Sequence, residues 1–315
     1  MSAIHSITRQ PSELSRQNAR VLAELYQAFV QGDDRAALHY IARDNIHHVP
    51  GRGRNAGEYW GHEGFARFME NIRRHNGGVF AMSVPVFSVA GDDAFTREII
   101  RINRADDPNR IWTLRISNRF RMRDGRVAES WVIPEDQRDY DDYWSLAPQP
   151  VAHSVRIPYD SSALGHLDED HAVSASTAGV LREMYRRFWA GNLDSMREMF
   201  DEEVIVNIAG RSSISGEYFG WEGFLEFRRR LMALAGNRYK LDVVALAASD
   251  TDAWATEHIR MNRSWDPAVH ELFVQMHFEI RDGRIVRMND FPIDTHAWER
   301  FFTMPFSAKA EGRAS

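Results

Sequence analysis

Apolar residues fall at helical spacing near the start of each half of this chain. Val21, Leu22, Leu25 and Phe29 make one stripe and Val180, Leu181, Met184 and Phe188 another, each predicting an amphipathic helix with a single buried face. Gly32 and Gly191 stand where a glycine just past the last turn closes such a helix. A short second helix follows in each half (33–41 and 193–200), then a strand (45–49 and 204–208). A glycine-rich stretch comes next (50–61 and 209–220), and then a third helix (63–74 and 222–235). The remainder alternates with a period of two. It predicts strands over 79–89, 94–104, 111–121 and 126–133, with counterparts over 238–247, 253–263, 271–280 and 284–291. The pairs Asp124-Gly125 and Asp282-Gly283 suit tight hairpins between the last two strands of each set.

The two halves are copies. Tyr26 recurs as Tyr185, Gly64 as Gly223 and Phe68 as Phe227, a constant spacing of 159 positions. One deletion in the second copy shifts the spacing to 158, and Phe120/Phe278, Gly125/Gly283 and Asp136/Asp294 follow. A unit this long is a whole domain rather than a solenoid repeat. Helices first and antiparallel strands afterwards predict an α+β fold. Each domain is expected to be a cone of about three helices packed on one face of a curved, mostly antiparallel sheet that encloses a pocket. The expected division is a polar tail (1–16), a first domain (17–145), a linker carrying Pro148, Pro150 and Pro158 (146–175), a second domain (176–304) and a C-terminal tail (305–315).

Composition narrows the function. The formal charge of −6, with Lys and Arg interspersed among acids, offers no stripe for a phosphate backbone, so nucleic acid is not an expected partner. The chain has no cysteine, which removes thiolate catalysis, disulfides and Cys-ligated metal and is compatible with a cytoplasmic location. The first residues are polar and no stretch approaches 18 consecutive apolar residues, so neither a secretory signal nor a membrane span is expected. Nucleotide-binding, zinc-protease and nucleophile-elbow motifs are absent, and neither a cofactor nor a metal is expected.

Three motifs carry a resemblance. Val49-Pro50-Gly51, the run from Gly57 to Phe65 (GEYWGHEGF) and the run from Asp124 to Trp131 (DGRVAESW) resemble the SnoaL-like branch of the nuclear transport factor 2-like superfamily. The second copy matches them from Gly216 to Phe224 and from Asp282 to Val286. The resemblance implies two fused cone-shaped domains that form an internal pseudo-dimer, with further homodimerisation open. It also implies cofactor-free acid–base chemistry. The superfamily holds cyclases, isomerases, dehydratases and epoxide hydrolases besides proteins that only bind, so fold alone does not choose among them.

The same resemblance points to residues. In SnoaL-like cyclases and limonene epoxide hydrolase-like enzymes a general-base Asp sits at the position of Asp290, where the first copy has Val132. Met288 shares the face of Asp290, and burial there would raise the carboxyl pKa. In the epoxide hydrolases an Arg on the matching strand orients the base, which points to Arg260 with Asn262 beyond it; Arg101 and Asn103 are the first-copy equivalents. His258 shares the face of Arg260. Asn207 matches a residue that helps hold the attacking water, and His48 is the acid or base available in the first pocket. Asn118 and Met276 match an oxyanion-hole position of ketosteroid isomerases. Phe120, Phe278, Tyr26, Tyr185 and Trp60 complete the expected linings.

The function expected from the sequence is therefore a cofactor-independent cyclase, isomerase or hydratase acting on a hydrophobic polyketide- or terpenoid-like molecule. Asp290 would be its base. Epoxide opening and non-catalytic binding of a lipophilic ligand are the two alternatives.

Overall fold

The computed structural model describes residues 13–145 and 174–303, so the expected linker and both tails lie largely outside the described residues. In the first half, α1 (Glu13–Gln31) and α2 (Asp34–Ala37) lead into β1 (Ile41–Val49) and β2 (Gly57–Trp60). Then come α3 (Gly61–His75), β3 (Asn76–Ala90), β4 (Asp93–Arg104), β5 (Asp107–Arg123), β6 (Arg126–Pro134) and α4 (Gln137–Tyr143). The second half repeats this as α5 (Ala175–Trp189), α6 (Leu193–Met196), β7 (Phe200–Ile208), β8 (Gly216–Phe219) and α7 (Gly220–Leu234). It ends with β9 (Ala235–Ala248), β10 (Asp252–Arg263), β11 (Asp266–Arg281), β12 (Arg284–Pro292) and α8 (Thr295–Phe302). No helix among the described residues is long and apolar enough to cross a membrane.

Each half is an α+β domain around one six-stranded sheet, ordered β2-β1-β6-β5-β4-β3 and β8-β7-β12-β11-β10-β9. The contacts are antiparallel apart from β1 with β6 and β7 with β12, which run parallel. Gly32 closes α1 at φ 68°, with its N–H on Phe29 O and the Asp33 N–H on Ala28 O; Gly191 does the same for α5. These paired bonds satisfy carbonyls that the helix end would otherwise leave open. Asp124 and Gly125 both take positive φ, as do Asp282 and Gly283, which is the twist a two-residue hairpin needs.

Two elements differ from the sequence reading. The glycine-rich stretch contains a short edge strand, β2 or β8, and each domain ends in a further helix, α4 or α8. Asp136 and Asp294 start those helices by accepting from Arg138, Asp139 and Ala297 backbone N–H groups.

Helices cover the concave face of each sheet and bury one apolar core per domain. The outer faces of the two sheets meet in a third apolar cluster, where Phe95, Ile133, Ala245, Ala247, Trp254 and Phe291 are almost fully buried. Phe95 and Trp254, matched positions of the repeat, stack at 6.1 Å with an interplanar angle of 2°. Arg97 grips Glu135 and Arg119 grips Asp93 on the first sheet, and Arg138 reaches Glu299 across the domains at 3.0 Å. The tandem domains thus pack as an internal pseudo-dimer.

Candidate active site

The concave face of each sheet carries a glutamate in an otherwise apolar lining. In β4, Glu98, Ile100 and Ile102 point inward, and all three line a cavity closed by α1 and α3. The interior of this cavity, measured as space open to the centre of a water molecule, is about 130 Å3. Tyr26 on α1 donates a 2.5 Å hydrogen bond to Glu98 Oε1, and the Tyr26 oxygen lies 2.7 Å from Thr96 Oγ1. Burial pushes the Glu98 carboxyl up to about 7, against the hydrogen bonds from Tyr26 and Asn118 that favour its ionised form. Burial and the negative Glu98 together keep the Tyr26 hydroxyl protonated well beyond its ordinary range.

His47 and Ser130 form a second polar pair on the wall, with Nδ1 and Oγ 2.6 Å apart. His47 packs edge-on against Phe68 at 4.3 Å. Burial, with the neighbouring His48 adding to it, depresses the imidazole pKa to about 3, so the ring is neutral across the working range. Glu98 is thus the group of this lining whose charge changes near neutrality.

The second cavity repeats the tyrosine–glutamate pair. Tyr185 on α5 donates a 2.7 Å hydrogen bond to Glu257 on β10, whose carboxyl burial raises to about 7 against the opposing effects of Tyr185 and Arg228. The interior is smaller, about 60 Å3. Asp290 lines it from β12, in register with Met276 on β11. Burial first and the Glu257 charge second drive the Asp290 carboxyl well above the ordinary carboxylate range.

The structure brings together Asp290, Met276, Phe278, Met288 and Tyr185 in the second cavity, and Asn118, Phe120 and Tyr26 in the first. The remaining sequence candidates lie elsewhere. His48 points to the opposite face of β1, stacked on Trp131 at 5.3 Å with Nε2 3.0 Å from Glu129; its neighbour His47 takes the inward place. Arg260 points away from Asp290 and pairs with Asp242 on β9. His258, on the same outer face, stacks on Phe273 at 4.4 Å, and Arg101 is exposed.

The asparagines expected at the chemistry have structural work. Asn262 accepts from the Arg238 N–H and donates to the Arg263 carbonyl, while Asn103 accepts from the Val79 N–H and donates to the Pro108 carbonyl. Both sit where the strand register shifts. Asn207 lies on the outer face and reaches Asn289, which donates to His277 Nδ1; His277 in turn bonds Asp252 at 2.7 Å. Trp60 is 58% exposed and reaches neither cavity.

Sequence reasoning missed Glu98 and Glu257. Their signal was present. Glu98 shares its strand face with Ile100 and Ile102, and Glu257 with Ile259 and Met261, so the apolar face of each strand carries the acid. Among the described residues no three His, Asp or Glu side chains are arranged to hold a metal ion.

A family model for the SnoaL-like domain matches residues 22–130 and again residues 181–288, well over half of the chain. The chain belongs to the SnoaL-like family. This SnoaL-like protein has no significant match among curated proteins. Solved structures resemble one domain at a time. Bal32a, from a soil-derived mobile gene cassette, is 25% identical over 41% of this chain and 97% of its own, with a TM-score of 0.37. An NTF2-like protein of unknown function from Burkholderia pseudomallei is 16% identical over 42% of this chain and 100% of its own, with a TM-score of 0.38. TerC, co-crystallised with polyporic acid, is 16% identical over 41% of this chain and 98% of its own, with a TM-score of 0.37. The two matches of the SnoaL-like model include both inward glutamates and Asp124-Gly125 and Asp282-Gly283, and stop at Ser130 and Met288 on the last strand.

Proposed function

We propose that the protein is a cofactor-independent general acid–base enzyme of the cyclase and isomerase type, acting on a hydrophobic small molecule in the first-domain cavity with Glu98 carrying the proton. The observation behind this reading is a carboxyl held by Tyr26 on the floor of an apolar chamber. A pKa near 7 lets one group take a proton and return it at neutral pH. Ionised Glu98 would accept a proton from carbon next to a carbonyl, and the protonated acid would deliver it to another atom of the same molecule. Tyr26 has one O–H and spends it on Glu98, so it has none for the substrate. The Asn118 side chain hydrogen-bonds both Glu98 and Tyr26 and so holds the pair in place.

The base expected at Asp290 fits less well. Burial and the neighbouring Glu257 charge hold that carboxyl well above the ordinary carboxylate range, which favours its protonated form and works against a base. Epoxide opening in the second cavity would also need Arg260 and Asn207 beside Asp290, and both point to the outer face.

The test is turnover of poly-β-ketone mimics and β,γ-unsaturated ketones by wild-type protein and Glu98→Gln, without added cofactor. Glu98→Gln is expected to lose about a hundred- to ten-thousand-fold in rate. Turnover that survives the substitution would remove Glu98 from the chemistry.

A further inference from the structure

The second cavity differs from the first in charge as well as size. His47, Asn118 and Ser130 of the first lining are matched by Val206, Met276 and Met288, so neutral hydrogen-bonding groups have been replaced by apolar ones. Charge moves the other way. Asp290 stands for Val132 and Arg228 for Met69, which leaves two carboxyls, Glu257 and Asp290, and one cation.

The two acids are not equally served. Glu257 takes the Tyr185 hydrogen bond and feels the Arg228 charge, and the Arg228 guanidinium lies over the Phe188 ring at 4.7 Å. Asp290 is 4% exposed, its side chain takes no hydrogen bond, and Oδ1 is sealed in without a partner. Its strand neighbours are Met276 on one side and Ile208 on the other, neither of which can donate. The charged and titratable groups facing it from the other elements are Glu257, Arg228, Tyr185 and Tyr239. A buried carboxyl without a partner costs stability, and Asp290 has no hydrogen-bond donor or cation of its own in the cavity as it stands.

Its walls fit a particular kind of cation. Phe188, Phe227 and Phe278 present aromatic surface and Met276 and Met288 present thioethers. Ring faces attract ammonium groups and sulfur is polarisable, so both receive an alkylated ammonium better than a hydrated metal ion. An interior of about 60 Å3 holds roughly four to six water-sized occupants at about 10–15 Å3 each.

We propose that the second cavity is a binding site for a small alkylammonium ion, with an N–H on Asp290 and the alkyl groups against the aromatic and methionine walls. A neutral apolar guest would leave Asp290 unpaired, and an anion would meet two acids. Burial and the Glu257 charge favour the protonated Asp290 in the empty cavity and an ammonium beside it favours the ionised form, so binding releases protons. The site is independent of the reading of Glu98, which lies in the other domain.

The experiment is isothermal titration and thermal melting of the full chain with trimethylammonium chloride, using tert-butanol as a neutral guest of similar shape. Titrations run in two buffers of different ionisation heat. Saturable trimethylammonium binding with proton release is expected, with no binding of tert-butanol. Asp290→Asn should weaken the affinity at least about tenfold, or about 1.4 kcal/mol. Asp290→Val should do the same, and it has a precedent in the first domain, which folds with Val132 at the matched position. Absence of saturable binding, equal affinity for tert-butanol, or unchanged affinity in both variants would overturn the proposal. The last result, without proton release, would place the cation on the surface.

Discussion

Tyr26 donates a 2.5 Å hydrogen bond to Glu98 across the first cavity, from the helix that covers the sheet to the strand that forms its floor. That bond favours the ionised carboxylate and works against the burial that raises its pKa. Tyr26→Phe removes it, so the Glu98 carboxyl should titrate higher than its present value of about 7. If Glu98 acts as the base, the acidic limb of the pH–rate profile moves up by about one unit, the size of one hydrogen bond to a charged group. A pH series of kcat/KM on wild type and Tyr26→Phe reads the shift directly. An unmoved limb would assign the titration to some other group.

The same carboxyls leave a signature in stability. Glu98 and Glu257 both rise from an ordinary value of 4.5 to about 7 on folding. Between those values the unfolded chain has lost the proton that the folded chain still holds, so stability falls as pH rises through the window and is fully present below it. Glu98→Gln has no proton to lose. Relative to wild type it should gain stability from pH 4.5 to 7 and level off above, by on the order of 3 kcal/mol for a shift of about 2.5 units. Urea melts at pH 4 and pH 8 give the comparison. A constant difference at both values would mean that the Glu98 carboxyl is not perturbed.

Phe95 and Trp254 should behave as one contact. Their rings are fully buried and stacked between the sheets, with His277 on Trp254 at 4.2 Å. Truncating either to Ala should cost about 3–5 kcal/mol, as for other buried aromatics. The double variant should cost clearly less than the sum, because each single change already breaks the shared stack. Chemical denaturation of the three variants measures this, and strict additivity would show that the sheets are held together elsewhere.

The fold was more legible than the site because the two rest on different signals. The repeat, the helical stripes and the Asp-Gly hairpins are local patterns, and each returned the element it predicts. Period-two alternation identifies which residues share a face but does not say which face is concave. Polar residues on β4 and β10 were read as pointing to the pocket, so Arg101, Asn103, Arg260 and Asn262 were chosen over Glu98 and Glu257. On β1 Asn45, His47 and Val49 share the buried face and Ile46 and His48 the other, so the alternation held and the wrong member of the histidine pair was chosen. Asp290 and Asn118 were found because the resemblance to known enzymes supplied the face. The helices α4 and α8 were missed although Asp136 and Asp294, their capping residues, were already among the matched pairs of the repeat.

Asn262 provides the sharpest separation between a structural and a chemical role. It sits where the pairing of β10 with both neighbours slips by two residues, a place where backbone groups lose their ladder partners. Its amide stands in for them, accepting from Arg238 at 2.9 Å and donating to the carbonyls of Arg263 and Asp266 at 3.0 and 3.4 Å. A carboxylate can accept but cannot donate. Asn262→Asp should therefore lose the two donated bonds, leave the Arg263 and Asp266 carbonyls short of a partner and cost about 1–3 kcal/mol. Gly236 supports the same clasp, since a Cβ there would lie 2.2 Å from Asn262 Nδ2, so Gly236→Ala should destabilise as well. Turnover per folded molecule should stay at the wild-type level in both variants. Loss of turnover with an unchanged melting curve in Asn262→Asp would return Asn262 to the chemistry that the resemblance first suggested.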